Sequence, residues 1–382
     1  MRPGWDVVWL SDIPWAALWQ RPQQLATRFP DAASILFVEP WTLGHGVALR
    51  PVEAAPRVRR VSFPFLPLHA RSLPIRRAAY AMGGSALVTG ALFALQRARA
   101  RALAPKRTGV RRLALVQNFL AAPFLDALAP DRVVYDMIDA PLHFAPVPPR
   151  LVPRWEGLLR RADRVVVTSG PLRSLAMSGG ARAADLVGNG VEAARFDPAR
   201  VAPAALPGDP EAPVLGYVGS LHSWVDVPLL EALARALPAT RVVLVGPAPP
   251  AVAATLARAA GAIPNLHWIG PRPYVDVPGI VRAFRVGLIP FRRTPLTEAV
   301  NPVKLYEYAA AGVPCVTTRF SDEVEGWREA ARVADDEPSF VAAVRAALDA
   351  PADPAPLLAF ARRHDWDAIA RRFVSICLED AA

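Results

Sequence analysis

Short runs of β-branched and aliphatic residues alternate with longer stretches whose apolar positions recur at helical spacing, from one end of the chain to the other. In the first half the strand candidates are residues 5–10, 34–38, 112–116, 132–135 and 164–168, with a shorter one near Leu186 and helices such as residues 21–29 between them. The stretch VAPAALPGDPEAP, residues 201–213, is rich in Pro and Ala and has no apolar period, so it reads as a linker. The alternation then restarts with strand candidates at residues 213–220, 240–247, 265–271, 286–291 and 314–318. Strand and helix in regular succession predict an α/β fold with parallel sheets wrapped by helices. The expected division is an N-terminal domain of residues 1–200, a C-terminal domain of residues 201–363 and a closing amphipathic helix in residues 364–382. Trp366, Ile369, Phe373 and Ile376 give that helix a stripe that packs on the core.

Composition supports a folded two-domain protein, because 382 residues are too many for one compact core and 53% hydrophobic content is too high for disorder. Charge adds an asymmetry: residues 1–200 hold 27 Lys and Arg against 14 Asp and Glu, whereas residues 201–382 hold 17 against 20. No acid occurs between Glu53 and Asp126, where 13 basic residues lie, so one face of the N-terminal domain is expected to be strongly positive. Such a face suits nucleic acid, anionic lipid or a phosphorylated substrate, and the thin aromatic interleaving speaks against single-stranded nucleic acid. Residues 78–96 are uncharged and flanked by Arg76, Arg77, Arg97, Arg99 and Arg101. They reach only the lower length limit for a membrane span, and their Gly, Ser, Thr and Gln content suits a helix lying on a membrane or packed in the domain better. Cys315 and Cys377 are the only cysteines, which excludes a disulfide framework and suits a reducing compartment. Asp6 and Asp12 interrupt the stretch that a secretory signal would need, so a cytoplasmic protein is expected, with the inner face of the membrane within its reach.

The most informative stretch is residues 291–316, FRRTPLTEAVNPVKLYEYAAAGVPCV. Asn301 is a good N-cap and Pro302 fits the first helical position, so a helix is expected to start here with its free amides and positive dipole end available to an anion. Lys304 and Glu307 share a face of its first turns and offer one phosphate contact and one hydroxyl acceptor; a plain ion pair three residues apart is the competing reading. Lysine is otherwise almost avoided, with 42 Arg and only Lys106 and Lys304. A compact point charge at 304 fits that pattern. The turn GYVGS, residues 216–220, ends a strand candidate and brings Gly219 and Ser220 to where a backbone can approach phosphate. His222 follows it as a donor to a diphosphate or sugar, or as an ordinary loop histidine.

No G-x-G-x-x-G follows the first strand of either half, which argues against a nicotinamide or flavin enzyme, and no metal-ligand cluster or D-x-D motif stands out. For a base, Asp139 is the first choice and Asp136 the alternative, since both close the strand candidate in VVYDMIDAP at the sheet edge where open α/β folds place ligands. Gln20 and Arg21, after the first strand, offer either an acceptor or phosphate contact or a structural clamp.

NPVKLYEYAAAGVPCV resembles the donor-site helix of bacterial two-domain glycosyltransferases of the GT-B type, especially those of teichuronic-acid and other surface-polysaccharide pathways. The likeness extends over nearly the whole chain through WQRPQQLATRF (19–29), VVYDMIDAPLHF (133–144), ADRVVVTSGPL (162–172), VGNGVEAARFDP (187–198) and YVGSLHSWVDVPLL (217–230). It implies two Rossmann-like domains with parallel sheets facing a central cleft, a nucleotide-sugar donor on the C-terminal domain and an acceptor on the N-terminal one. It further implies that Lys304 meets the diphosphate and Glu307 the ribose hydroxyls, with Tyr306 and Asn301 close by. Two departures stand out. Many relatives separate two glutamates by seven residues, whereas eight separate Glu298 from Glu307, which leaves Glu298 as a sugar contact from the loop. Many also carry Arg and Lys after the glycine turn, where this chain has Leu221, His222, Ser223 and Trp224, so more of the phosphate charge falls to Lys304. The expectation is a metal-independent, cofactor-free sugar transfer, with a UDP-sugar as donor and a lipid-linked or saccharide acceptor. The alternatives are a sugar-nucleotide epimerase of the same shape, or a non-catalytic protein that binds membrane or nucleic acid.

Overall fold

The computed structural model describes residues 4–16, 19–41, 46–63, 65–66, 73–121, 124–144, 146–350 and 353–379. The chain divides into two compact units, Met1–Gly188 with Ile369–Ala382, and Asn189–Ala368.

The first unit is built on an eight-stranded sheet formed by β1 (Trp5–Leu10), β2 (Ala33–Pro40), β3 (Val52–Ala55), β4 (Val58–Phe63), β5 (Arg111–Val116), β6 (Arg132–Met137), β7 (Arg164–Val167) and β8 (Ala184–Leu186), in the order 3-4-2-1-5-6-7-8. All pairings are parallel except the hairpin of β3 with β4. Val7, Val8, Trp9 and Leu10 of β1 and Leu113 to Val116 of β5 are buried, as central strands covered on both faces require. The hairpin was not foreseen because Arg57, Arg59 and Arg60 break up its apolar run; Arg60 is neutralised by Glu39 at 2.6 Å. The strand order reverses between β1 and β5, so the loops after these strands flank the crevice where open α/β sheets bind ligands.

Residues 78–96 do not form one helix. They are shared between Leu73–Gly84 and Ala86–Leu103, which meet at 94°, with the Ser85 hydroxyl accepting from the Val88 amide at 3.4 Å to start the second. No single helix among the described residues is long and apolar enough to cross a membrane.

The second unit holds a six-stranded, all-parallel sheet of β9 (Val214–Val218), β10 (Arg241–Val245), β11 (Leu266–Trp268), β12 (Val286–Ile289), β13 (Cys315–Thr318) and β14 (Ala331–Ala334), in the order 11-10-9-12-13-14. Only β14, a four-residue edge strand, escaped the sequence pattern. The order reverses between β9 and β12, which puts GYVGS and the loop before Lys304 on either side of the switch point.

The division between the units differs from the expected one. The Pro-rich residues 201–213 are a strap on the second unit rather than a free linker: the Ala204 amide donates to the Gly279 carbonyl at 2.8 Å, and the Arg241 guanidinium donates to the carbonyls of Leu206, Pro207, Pro210 and Ala212. A stretch without apolar periodicity is thus held by its carbonyls, and the boundary moves back to Gly188 and Asn189. The helix Trp366–Leu378 is shared as well, and from Ile369 onward it belongs to the first unit. There Phe373 packs against Trp9 and Phe29, with ring centres 6.3 and 6.5 Å apart. Arg132 donates to the carbonyls of Ile376 and Glu379, satisfying the open end of the helix. Of the expected stripe, Trp366 and Phe373 are buried, while Ala370 and Cys377 take the places assigned to the half-buried Ile369 and Ile376.

Candidate functional site

In the second unit the site is built where β9 and β10 end. Gly219 and Gly246 both have positive φ, +134° and +146°, and a Cβ on Gly246 would lie 1.9 Å from the Gly219 carbonyl oxygen. The two strand ends approach this closely only because neither carries a side chain. Beyond the turn the amide and hydroxyl of Ser220 donate to no described residue, while its carbonyl accepts from the Tyr217 hydroxyl at 2.8 Å.

The helix Val303–Ala310 carries Lys304 in its first turn, and that side chain lies beside Gly219. Its N-cap is Pro302, not Asn301 as expected, because Asn301 has a different task. The Asn301 side-chain oxygen accepts from the Asn189 amide at 2.9 Å and from the Tyr306 hydroxyl at 3.0 Å, and its carbonyl accepts from the Asn189 side chain at 2.7 Å. Asn301 therefore ties the chain entering the unit to the helix. Tyr306 completes the clasp by stacking on Phe360 at 5.7 Å. Tyr306→Phe is expected to cost about 1 kcal/mol of stability, the worth of one buried hydrogen bond. UDP affinity measured beside a denaturant titration should stay within about twofold, since a factor of two is well under 1 kcal/mol; a large loss would make Tyr306 a donor contact.

With Asn301 engaged elsewhere, the amides of Val303 and Lys304 have no acceptor among the described residues. Lys304 reaches back to the β9 turn: its amine lies 5.0 Å from the centre of the Tyr217 ring and 4.8 Å from that of Phe291. A Cβ on Gly219 would come within 3.3 Å of it. Among the described residues Lys304 has no hydrogen bond or ion pair, so the competing pair with Glu307 does not form. Burial lowers its pKa to about 8 against the opposing pull of Glu307 and Cys315. Glu307, one turn on, is buried and accepts from the Tyr274 hydroxyl at 3.3 Å. Burial raises its carboxyl to about 7, with Lys304 and the Tyr274 hydrogen bond acting the other way. An unmatched cation, open amides at a helix start and an available hydroxyl are the groups that can take up an anion, and the buried carboxyl one turn away can accept from hydroxyls.

Glu298 and His222, two other expected donor residues, have neighbours of their own. Glu298 accepts from Arg293 at 2.6 Å, and the same Arg293 also pairs with Asp322, so Glu298 belongs to a surface ion network. His222 is half-buried, stacks on Trp224 at 4.4 Å and faces the Ser223 hydroxyl at 3.0 Å.

In the first unit, Asp136 ends β6 inside a sealed cluster. It is fully buried and accepts from Arg21 at 2.9 to 3.2 Å and from the Gln117 side chain at 2.9 Å. Arg21, 3% exposed, also donates to the Gly188 carbonyl at 2.8 Å. This pair clamps the unit together, and neither member is turned to solvent. Gln20 is exposed, with its amide on the Gln23 side chain at 3.1 Å. Asp139, two residues past β6, has no hydrogen bond or ion pair among the described residues, and burial raises its pKa to about 7. Asp12 is the residue the sequence reading missed. Burial, then Asp139 and Asp136, push its pKa well above the usual range. The signal was present, since Asp12 stands two residues past β1 as Asp139 stands two past β6. Tyr274 was missed for want of any signal, because it reaches Glu307 from 33 residues away.

Residues 212–350 match the family described as Glycosyl transferases group 1. The chain is 29% identical over 233 residues to the "Putative teichuronic acid biosynthesis glycosyltransferase TuaH" of Bacillus subtilis (strain 168), a match covering 56% of this chain and 58% of that protein. Among solved structures it superposes on apo OtsA with a TM-score of 0.71 at 16% identity, covering 99% of this chain and 100% of the other. An E. coli structure described as trehalose-6-phosphate bound with UDP-2-fluoro glucose superposes with a TM-score of 0.70 at 15% identity, over 98% and 99% of the two chains. These likenesses establish the architecture, and the match over residues 212–350 lies on the unit that carries Lys304. Residues 212–350 are thus similar to the group 1 glycosyl transferases, and the fold is GT-B.

Proposed function

We propose that this protein transfers a sugar from a UDP-sugar to a lipid-linked or saccharide acceptor in cell-surface polysaccharide synthesis, working in the cytoplasm at the inner face of the membrane. The observation that carries the reading is Lys304, a half-buried cation without an anion at the start of a helix whose first amides are open. The donor diphosphate supplies the missing charge, Ser220 adds a donor from the β9 turn, and Glu307 accepts from the ribose hydroxyls. In the reaction the bond from the anomeric carbon to the diphosphate oxygen breaks, and its electron pair leaves on UDP. Lys304 and the helix start take up that charge, so the proposal needs no metal. The acceptor oxygen bonds to the anomeric carbon, and its proton passes to Asp139. UDP is preferred to other nucleotides in this reading on the strength of the UDP-sugar bound to the E. coli neighbour, and a surface polysaccharide on the name of the B. subtilis relative.

The test is product analysis with a panel of UDP-sugars, with and without membrane lipid extract or oligosaccharide acceptors. UDP release that depends on acceptor, with a new glycoside detected by mass, is expected. Conversion of the donor to a different sugar nucleotide without acceptor would make the protein an epimerase. Salt-sensitive RNA or DNA binding with no nucleotide-sugar affinity would remove the enzymatic reading altogether.

A further inference from the structure

The helix Ala86–Leu103 of the first unit is amphipathic the wrong way round. Its buried positions are Thr89, Phe93, Gln96 and Ala100, a stripe that is half polar. Two of its leucines point outward: Leu87 is 87% exposed and Leu95 61%. A helix at a water-facing surface buries its large apolar side chains and exposes polar ones. The neighbouring helix Leu73–Gly84 repeats the anomaly with exposed Tyr80 and Met82. Of the 12 large hydrophobic side chains exposed among the described residues, nine lie between Trp41 and Leu95. Arg99 donates to the Leu49 carbonyl at 2.8 Å and so draws the loop around Leu49 against the second helix. Exposed apolar residues are thus concentrated in this stretch, with Leu49 tied to the second helix, and such a concentration marks an interaction surface.

Charge identifies the occupant. From residue 40 to residue 125 there is one acid, Glu53, against 14 basic residues, and of these Arg57, Arg60, Lys106, Arg107 and Arg112 pair with described acids from outside the stretch. The uncharged segment 78–96 is framed by arginines, of which Arg77 and Arg101 are exposed. A second copy docking through the same face would bring two arginine rims together with almost no carboxylate to match them. An apolar centre inside a cationic rim fits a surface that is oily within and negative at its edge.

We propose that the bent helix pair Leu73–Gly84 and Ala86–Leu103 docks flat on an anionic lipid bilayer, with Met82, Leu87 and Leu95 entering the acyl boundary and Arg77 and Arg101 on the headgroup phosphates. Two helices that meet at 94° can lie together in the plane of the interface, and neither alone is long and apolar enough to cross it. The inference deepens the reading of a membrane-borne acceptor and rests on it, because it puts the acceptor-binding unit against the surface that holds a lipid-linked sugar.

The test is co-sedimentation of the full chain with phosphatidylcholine vesicles, with and without phosphatidylglycerol, across a salt series. Retention by the anionic vesicles, weakening with salt, is expected. The double variant Leu87→Glu/Leu95→Glu and the double variant Arg77→Ala/Arg101→Ala should each weaken it by about tenfold or more. Equal binding of the leucine variant would show simple adsorption by charge, equal retention on neutral vesicles would remove the role of the arginines, and no retention on any vesicle would remove the surface altogether. A wild-type dimer that the leucine variant converts to monomer would assign the face to a second copy instead. The wild-type lipid and salt series decides these points even if a variant misfolds. Calorimetry with UDP on the same proteins separates the two readings: lost docking with intact UDP binding overturns this inference alone, and lost UDP binding in the wild type overturns the transferase.

Discussion

Lys304→Met should lose about a hundredfold in UDP affinity, about 3 kcal/mol, while becoming more resistant to denaturant at neutral pH. The two effects have one cause. Lys304 is held without a counter-ion, and burial lowers its pKa from the ordinary 10.5 to about 8. The unfolded chain keeps the ordinary value, so holding the ammonium in the folded state is unfavourable wherever the unfolded lysine is protonated; the penalty is complete below about 8 and fades toward 10.5. Methionine removes that penalty and, with it, the charge that a diphosphate needs. A lysine with a purely structural role would lose stability instead.

The pH dependence of binding follows from the same groups. UDP requires Lys304 protonated, so affinity should fall as pH rises past about 8. It also requires the Glu307 carboxylate ionised to accept from both ribose hydroxyls, so affinity should fall as pH drops below about 7. Calorimetry should therefore find its maximum between those values, with the alkaline limb missing in Lys304→Met. An unchanged affinity in the variant would take the diphosphate away from this helix start.

Much of this site was legible in the sequence because its parts are local. A strand, a glycine turn and a helix start announce themselves within a few residues, while helical spacing only puts Lys304 and Glu307 on one face and the resemblance assigns them diphosphate and ribose. The scarcity of lysine marked position 304 before any geometry did. What stayed hidden depends on distant partners. Asn301 looked like a cap because asparagine commonly is one, and only the fold brings Asn189 and Tyr306 to it. Asp139 takes preference over Asp136 by its place at the sheet edge, but only the fold brings Arg21, 115 residues away, onto Asp136. The strap at 201–213 failed for the same reason, since the arginine that holds its carbonyls lies on β10. The outward-facing helix pair escaped because periodicity shows that a helix has two faces but not which one is turned inward.

Asp139→Asn should reduce turnover by about a hundredfold to ten-thousandfold and leave UDP affinity within about twofold, as expected of a base that acts on the acceptor and not on the donor. A base works in its ionised form, and burial holds the Asp139 carboxyl at about 7. The wild-type rate should accordingly rise through that pH, and the rise should vanish in the variant. Asp12 is itself pushed well above the usual carboxylate range by burial and by Asp139 and Asp136 beside it. Asp136→Asn supplies the contrast. Its carboxylate is already committed to Arg21 and Gln117, and breaking a buried pair on one side leaves a stranded guanidinium at a cost of about 3 to 5 kcal/mol. That variant should unfold early while any folded fraction keeps its pH profile. If instead Asp136→Asn stays folded and loses the acid limb while Asp139→Asn keeps it, the roles of the two carboxylates are exchanged and Arg21 belongs to the catalytic machinery.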